Sequence, residues 1–385
     1  MRRLTRLALG AGAVLGLSAW VAPEAGAEGP PSGGYGGGGA DHAVFVQTDS
    51  TTGNQIVAYH RSHDGTLTLA GTYPTGGLGG VLNGSAVDHL GSQGSLALDP
   101  AHGLLYAVNA GSNTVSVFSV YGDQLGLHQV VSSGGTFPVS IAVHGNLVYV
   151  LNAENGGSVS GYWVAGDRLQ RIWGSTRSLG LTIPTDTTQF THTPGQVAFS
   201  PDGSQLIVTT KANAVGNDVD VFGVGWDGRL SASPVVSSEP GTVPFAITFD
   251  QAGHLVIGEA GPSAVVTFRL HRDGTITQID SLPNGQPGLC WVTPAGQYFF
   301  TGNTASNSTS GYQSSANGQL TLLGSTPTDA GAVDSAATAN GQFLYVQTGG
   351  NGIVDEFQVS SDGSLTKIGS VTVSDAVGGE GIVAS

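Results

Sequence analysis

From Gly94 to Leu127 the chain alternates short apolar stretches with tight turns. Ser95–Asp99 is a brief apolar run, Pro100–Gly103 a turn, and Leu104–Asn109 a second run with Tyr and Val suited to a pleated surface. After the polar loop Ala110–Asn113, Thr114–Val120 alternates apolar and polar residues, the period of a half-buried strand. Gly122 and Asp123 then turn the chain, and Leu125 opens a fourth, outer strand.

The same unit recurs along the chain. The last turn returns at Asp64–Gly65, Gly122–Asp123, Gly166–Asp167, Asp227–Gly228, Asp273–Gly274, Asn317–Gly318 and Asp362–Gly363. The second strand returns as Ala43–Thr48, Leu104–Asn109, Leu147–Asn152, Leu206–Lys211, Leu255–Glu259, Tyr298–Asn303 and Phe343–Thr348. A period of about 45 residues with four short strands predicts an all-β, seven-bladed propeller of four-stranded antiparallel blades. One blade cannot bury both faces alone; radial stacking does so and leaves only short edges. The innermost strand has six internal copies, and none precedes Ala43. The terminal Glu380–Ser385 fits the vacant slot, so the C-terminal strand is expected to close the ring on the N-terminal blade.

The ring spans residues 41–385. Before it, residues 1–27 read as a secretory signal: Arg2, Arg3 and Arg6, an apolar Leu7–Ala22, and the small-residue run Ala25–Ala27. Residues 28–40 read as a Gly-rich flexible linker. A secreted or extracytoplasmic monomer with no membrane span in the mature chain is expected. Gly is abundant, at 62 residues, as three tight turns per blade require. A formal net charge of -15 argues against nucleic acid and anionic membranes as partners. The single cysteine, Cys290, forms no internal disulfide and reads as a buried apolar residue of an inner strand.

Two insertions, around Gly76–Gly91 and Gly174–Pro194, join the outer strand of one blade to the inner strand of the next. In a meander blade these connections share a face with the loops after the second strands, and long loops on a rigid scaffold carry function. One polar residue per blade stands at that mouth: Thr48, Asn109, Asn152, Lys211, Glu259, Asn303 and Thr348. Glu154, Asp88, Arg177 and His192 lie in adjoining loops. A catalytic trio of Lys211, Glu259 and His192 is expected there, a carboxylate or imidazole activating water and the ammonium stabilising an oxyanion. Asn109, Asn152, Glu154, Asn303 and Arg177 are candidate substrate contacts; equally, strand-end Asn and Thr cap turns. The axial residues Ser95, Ser140, Gln196, Ala246 and Ser335 are small or neutral and suit a narrow channel. No metal-ligand spacing occurs, and Asp218 and Asp220 read as a solvated edge.

The repeats PGQVAFSPDGSQLIVTTKANAVGNDVDVFGVGWDGRL (Pro194–Leu230) and GQFLYVQTGGNGIVDEFQVSSDGSLTKIGS (Gly341–Ser370) resemble those of the lactonase-type seven-bladed propellers, the 6-phosphogluconolactonase-like and carboxymuconate-cyclase-like proteins. The resemblance implies this fold over residues 41–385, and hydrolysis or closure of a small lactone without a cofactor. It also implies basic residues in the central cleft. Most Arg residues here lie near the Asp-Gly turns or outer strands, which leaves Lys211 and Arg177 as anion holders. The other function class consistent with the chain is a non-catalytic propeller that binds a polysaccharide, a peptide or an envelope protein.

Overall fold

A computed structural model describes residues 42–211 and 217–385. The expected signal and linker lie outside these residues. The described residues form seven antiparallel sheets, numbered here as blades I to VII in chain order. Six have four strands; blade III gains a fifth, because Arg177–Ser178 of the second insertion pairs with Ser158–Ala165. The second strands fall where the apolar runs predict them, from Ala43–Gln47 in blade I to Phe343–Thr348 in blade VII.

The recurring outer turn has a local and a tertiary cause. Asp64, Asp227, Asp273 and Asp362 each accept a hydrogen bond from the backbone N–H two residues on, at 3.0–3.1 Å. The following glycines take left-handed backbone, with φ of 89° at Gly65 and 81° at Gly363. The turn also docks on the preceding blade. Tyr345 of blade VII donates to the Gly65 carbonyl of blade I at 2.7 Å, and Tyr149 of blade III to the Gly228 carbonyl of blade IV at 2.7 Å. A Cβ on Gly65 would meet the Phe343 ring at 2.3 Å. The repeat of tight turns is thus a repeat of blade–blade contacts.

The ring closes as the terminal segment predicts. Ile382–Ala384 forms the innermost strand of blade I, pairing Val44 with Ala384, Phe45 with Val383 and Val46 with Ile382. Arg61 donates to the Ser385 carbonyl at 2.9 Å. Val44, Phe45 and Val46 are fully buried by this pairing and by the neighbouring blades.

Most innermost strands carry a register shift near their start: between Pro138 and Ser140, Pro194 and Val197, Pro244 and Ala246, Leu289 and Trp291, and Ala332 and Ser335. Such bulges re-aim a side chain relative to strict alternation. They decide what faces the axis at the mouth of the ring.

Candidate functional site

The first insertion does not stand away from the ring; it crosses its mouth. Asp88 initiates the crossing: its carboxylate accepts the N–H groups of Leu90, Gly91 and Ser92 at 2.8–3.1 Å. Ser92 then donates to the Val139 carbonyl of blade III at 2.9 Å and accepts from Trp291 Nε1 of blade VI at 2.8 Å. The Gln93 amide brackets Val292 with two 3.1 Å bonds, and its backbone N–H reaches the Gly195 carbonyl of blade IV. The second insertion meets the first. Gln189 accepts from the Asn83 N–H at 2.8 Å and donates to Glu154 at 3.1 Å.

Beside this crossing strap lies a cavity of about 330 Å³, walled largely by apolar side chains that include Phe190, Phe245 and Trp291. Lys211 and Asp88 bring charge to it. Lys211 follows the second strand of blade IV, and its Nζ donates to the Gly91 carbonyl and stands 4.7 Å above the Phe245 ring centroid. Burial pulls the Lys211 amine down to about 8, against the opposing charge of Asp88. Burial pushes Asp88 up to about 6 despite Lys211 and its three N–H donors. Cys290 is partly buried at the cavity wall and packs against the core of blades V and VI, close to its expected role as an apolar residue of an inner strand. Burial of its sulfur pushes the thiol up to about 12, so it is not a thiolate nucleophile at neutral pH.

The other expected site residues are placed as follows. Glu259 ends the second strand of blade V and is 4 % exposed. Burial first, and then the charge of Glu239, push it up to about 7. The charge that bears on Glu259 is that of Glu239, whereas the charge that bears most on Lys211 is that of Asp88. The residue after Glu259, Ala260, lines the cavity. His192 is likewise one residue removed, since Thr191 lines the cavity while His192 Nδ1 engages the Thr188 carbonyl at 2.8 Å. Arg177 lays its guanidinium on the carbonyls of Ser231 and Leu230, at 2.7 and 2.5 Å, and so ties blade III to blade IV.

Asn109, Asn152 and Asn303 are fully buried. Asn109 bonds Asn54, Thr75, Thr114 and Ser116, and Asn303 bonds Asn284, Thr301, Ser308 and Ser310. Asn152 donates to the Ser133 carbonyl at 3.4 Å. The Asn109 and Asn303 amides hold the strand-end loops, whereas the Asn152 Oδ1 is buried without a hydrogen-bond partner.

The axis itself departs from expectation. Ser95, Ser140 and Ala246 are buried as small residues, but four carboxyl groups accompany them: Asp49, Asp88, Asp334 and Glu380, each no more than 6 % exposed. Glu380 accepts the Gly94 N–H at 2.9 Å, and its own N–H donates to Asp49 at 2.7 Å. Gln47 donates to Asp49 at 2.5 Å. Burial pushes Asp49 and Asp334 up to about 7 and Glu380 well above the usual carboxylate range. The bulge at Ala332–Ser335 puts Asp334 among these groups; only its place beside Ser335 in an inner strand hinted at it. Asp220, expected at a solvated edge, is buried, and burial pushes it up to about 7. Among the described residues no group of His, Cys, Asp and Glu side chains is arranged to hold a metal ion, and no helix is long and apolar enough to cross a membrane.

The ring is similar in fold to several solved structures. A protein from Lactobacillus plantarum superposes with a TM-score of 0.69 at 19% identity, over 89% of this chain and 98% of that one. A candidate 6-phosphogluconolactonase from Bacteroides uniformis gives 0.68 at 20% identity, over 87% and 97%. The periplasmic gluconolactonase PpgL of Pseudomonas aeruginosa gives 0.66 at 18% identity, over 88% and 98%. The chain shares its overall fold with these structures. No protein-family model and no curated protein sequence matches the chain.

Proposed function

We propose that this chain is an exported lactonase-type hydrolase that opens a small lactone in the cavity beside Lys211. The observation that supports the reading is that the buried Lys211 amine and Asp88 carboxyl both line an otherwise apolar, ligand-sized space. Water adds to the lactone carbonyl carbon, and the Lys211 ammonium hydrogen-bonds the oxyanion that forms. A carboxylate takes the proton from water and returns it to the ring oxygen as the carbon–oxygen bond breaks. Asp88 lies at the cavity for this role; Glu259 and His192 flank it one residue away. No cofactor enters these steps. Export rests on the reading of residues 1–27, and the fold shared with a periplasmic gluconolactonase agrees with it.

The test is a screen of purified residues 28–385 against simple lactones, with Lys211→Ala and Glu259→Gln variants. Ring opening lost in Lys211→Ala supports the site, and loss in Glu259→Gln as well makes Glu259 the proton acceptor. Turnover unchanged in Lys211→Ala removes the site assignment.

One observation favours a second reading. The strap from Asp88 to Gly94 fills the mouth of the ring with hydrogen bonds to blades III, IV and VI. A plugged mouth suits a non-catalytic binder of envelope material, and the absence of turnover on every lactone supports that reading.

A further inference from the structure

On the outer rim of blades III and IV, three of the chain's five tryptophans stand around one turn. Trp226, at the tip of the 225–228 turn, is 97% exposed, and Trp173 is 85% exposed. Trp163 is 36% exposed and lies under the same turn, its ring edge 2.8 Å from where a Cβ on Gly228 would sit. Arg229 fastens the turn to the Trp173 loop by donating to the Trp173 carbonyl at 3.0 Å. The two exposed indoles are therefore presented together by a braced turn. Leaving them in water forgoes burial of the largest apolar side chain in the repertoire.

The charge around them runs against the rest of the chain. Four Arg residues, Arg168, Arg171, Arg177 and Arg229, belong to this rim in a chain of net charge -15. The neighbouring acids Asp167 and Asp227 pair with Arg168 at 3.9 Å and Arg229 at 3.5 Å. Arg171 and Arg177 instead contact carbonyls and Thr176, so their charge is not cancelled. The indoles alternate with guanidinium, hydroxyl and carbonyl groups and form no continuous aliphatic surface. A protein interface core needs a contiguous apolar patch. A sugar chain, with apolar ring faces and polar edges, matches isolated indoles separated by hydrogen-bonding groups, and the excess positive charge selects carboxylated sugars.

We infer that the Trp163–Trp173–Trp226 rim is a binding surface for an acidic, carboxylate-bearing polysaccharide. It is separate from the cavity at Lys211 and does not depend on the lactonase reading.

The experiment is affinity electrophoresis of residues 28–385 through gels containing polygalacturonate, with dextran as the neutral control. Polygalacturonate is expected to retard the wild-type chain. The double variant Trp173→Ala/Trp226→Ala should bind about tenfold or more weakly at an unchanged Tm, because neither indole is packed. Arg171→Gln should weaken binding and lessen its salt dependence. No retardation, or equal retardation of the double variant, overturns the inference. Equal retardation by dextran overturns the carboxylate specificity. A concentration-dependent dimer that the double variant loses, without glycan binding, overturns the inference in favour of an interface between copies of this chain.

Discussion

The carboxyl of Asp334, on the innermost strand of blade VII, is buried beside the carboxyl of Glu380, two residues before the strand that closes blade I, and its charge pushes Glu380 upward. Burial and the charges of Asp334, Asp88 and Asp49 all raise Glu380, so these carboxyl groups titrate together and not independently. Ser92, Gly94 and Ser95 supply donors, and Lys211 is the cation whose charge reaches Glu380. The pair therefore joins the ring closure to the strap across the mouth.

The pH dependence of stability follows from the direction of these shifts. A carboxyl whose pKa is higher folded than unfolded stabilises the fold fully below its unfolded value of about 4. That contribution is lost as pH rises through the folded value, which is about 7 for Asp334 and Asp49. Thermal melting is expected to fall by about 3 °C or more between pH 5 and pH 8. Glu380→Gln should flatten the profile. A melting temperature that rises over this interval, or an unaltered profile in the variant, contradicts the raised values of the axial carboxyl groups.

Removal of Glu380–Ser385 takes away the innermost strand of blade I and bares the edge at Val44–Val46. It also removes the acceptor of the Gly94 N–H. The truncated chain is expected to melt about 10 °C or more below the full chain, or to aggregate through the open edge. Calorimetry of the two chains measures this directly, and coincident transitions would show that ring closure contributes little.

Lys211 must carry its proton to stabilise an oxyanion. Since burial lowers its pKa to about 8, lactone turnover should decline as pH rises above that value. A rate profile measured from pH 6 to pH 10 reads it, and a rate still rising at pH 10 assigns the anion-stabilising role elsewhere. Lys211→Met should also lower stability by about 1–3 kcal/mol, because the buried Asp88 loses an opposing charge while the Gly91 carbonyl loses its donor.

Asn303 separates a loop-holding role from a substrate-binding one. Asn303→Ala leaves the Asn284 amide and the Ser308 and Ser310 hydroxyls short of a buried partner. The expected loss is about 1–3 kcal/mol in denaturant unfolding, with KM for any lactone unchanged. A raised KM at wild-type stability would instead place its amide against substrate.

Much of the architecture was legible along the chain because it depends on short-range relations. The alternation in Thr114–Val120, the Asp side chains that bond the N–H two residues on in four of the turns, and the turn glycines with positive φ in all seven are local features. Even ring closure could be read, since one innermost strand was missing at one end and supplied at the other. The site was legible only in part. Lys211 stood out as the basic member of seven equivalent positions and does line the cavity, yet the charge that bears most on it is that of Asp88 of an insertion rather than Glu259 of the next blade.

The axial cluster depended wholly on tertiary structure. Asp49 and Glu380 touch across 331 positions of sequence, and Asp334 joins them because a bulge breaks the alternation of its strand. The fate of the strand-end asparagines was decided in the same way: their surroundings, not their spacing, direct their amides into the blades. Periodicity and turn chemistry specify where strands and turns fall, because they act between residues a few bonds apart, whereas stacked blades bury Val115–Val120 on both faces. Which polar groups meet at the axis depends on how seven blades and two insertions converge, and no local pattern records that.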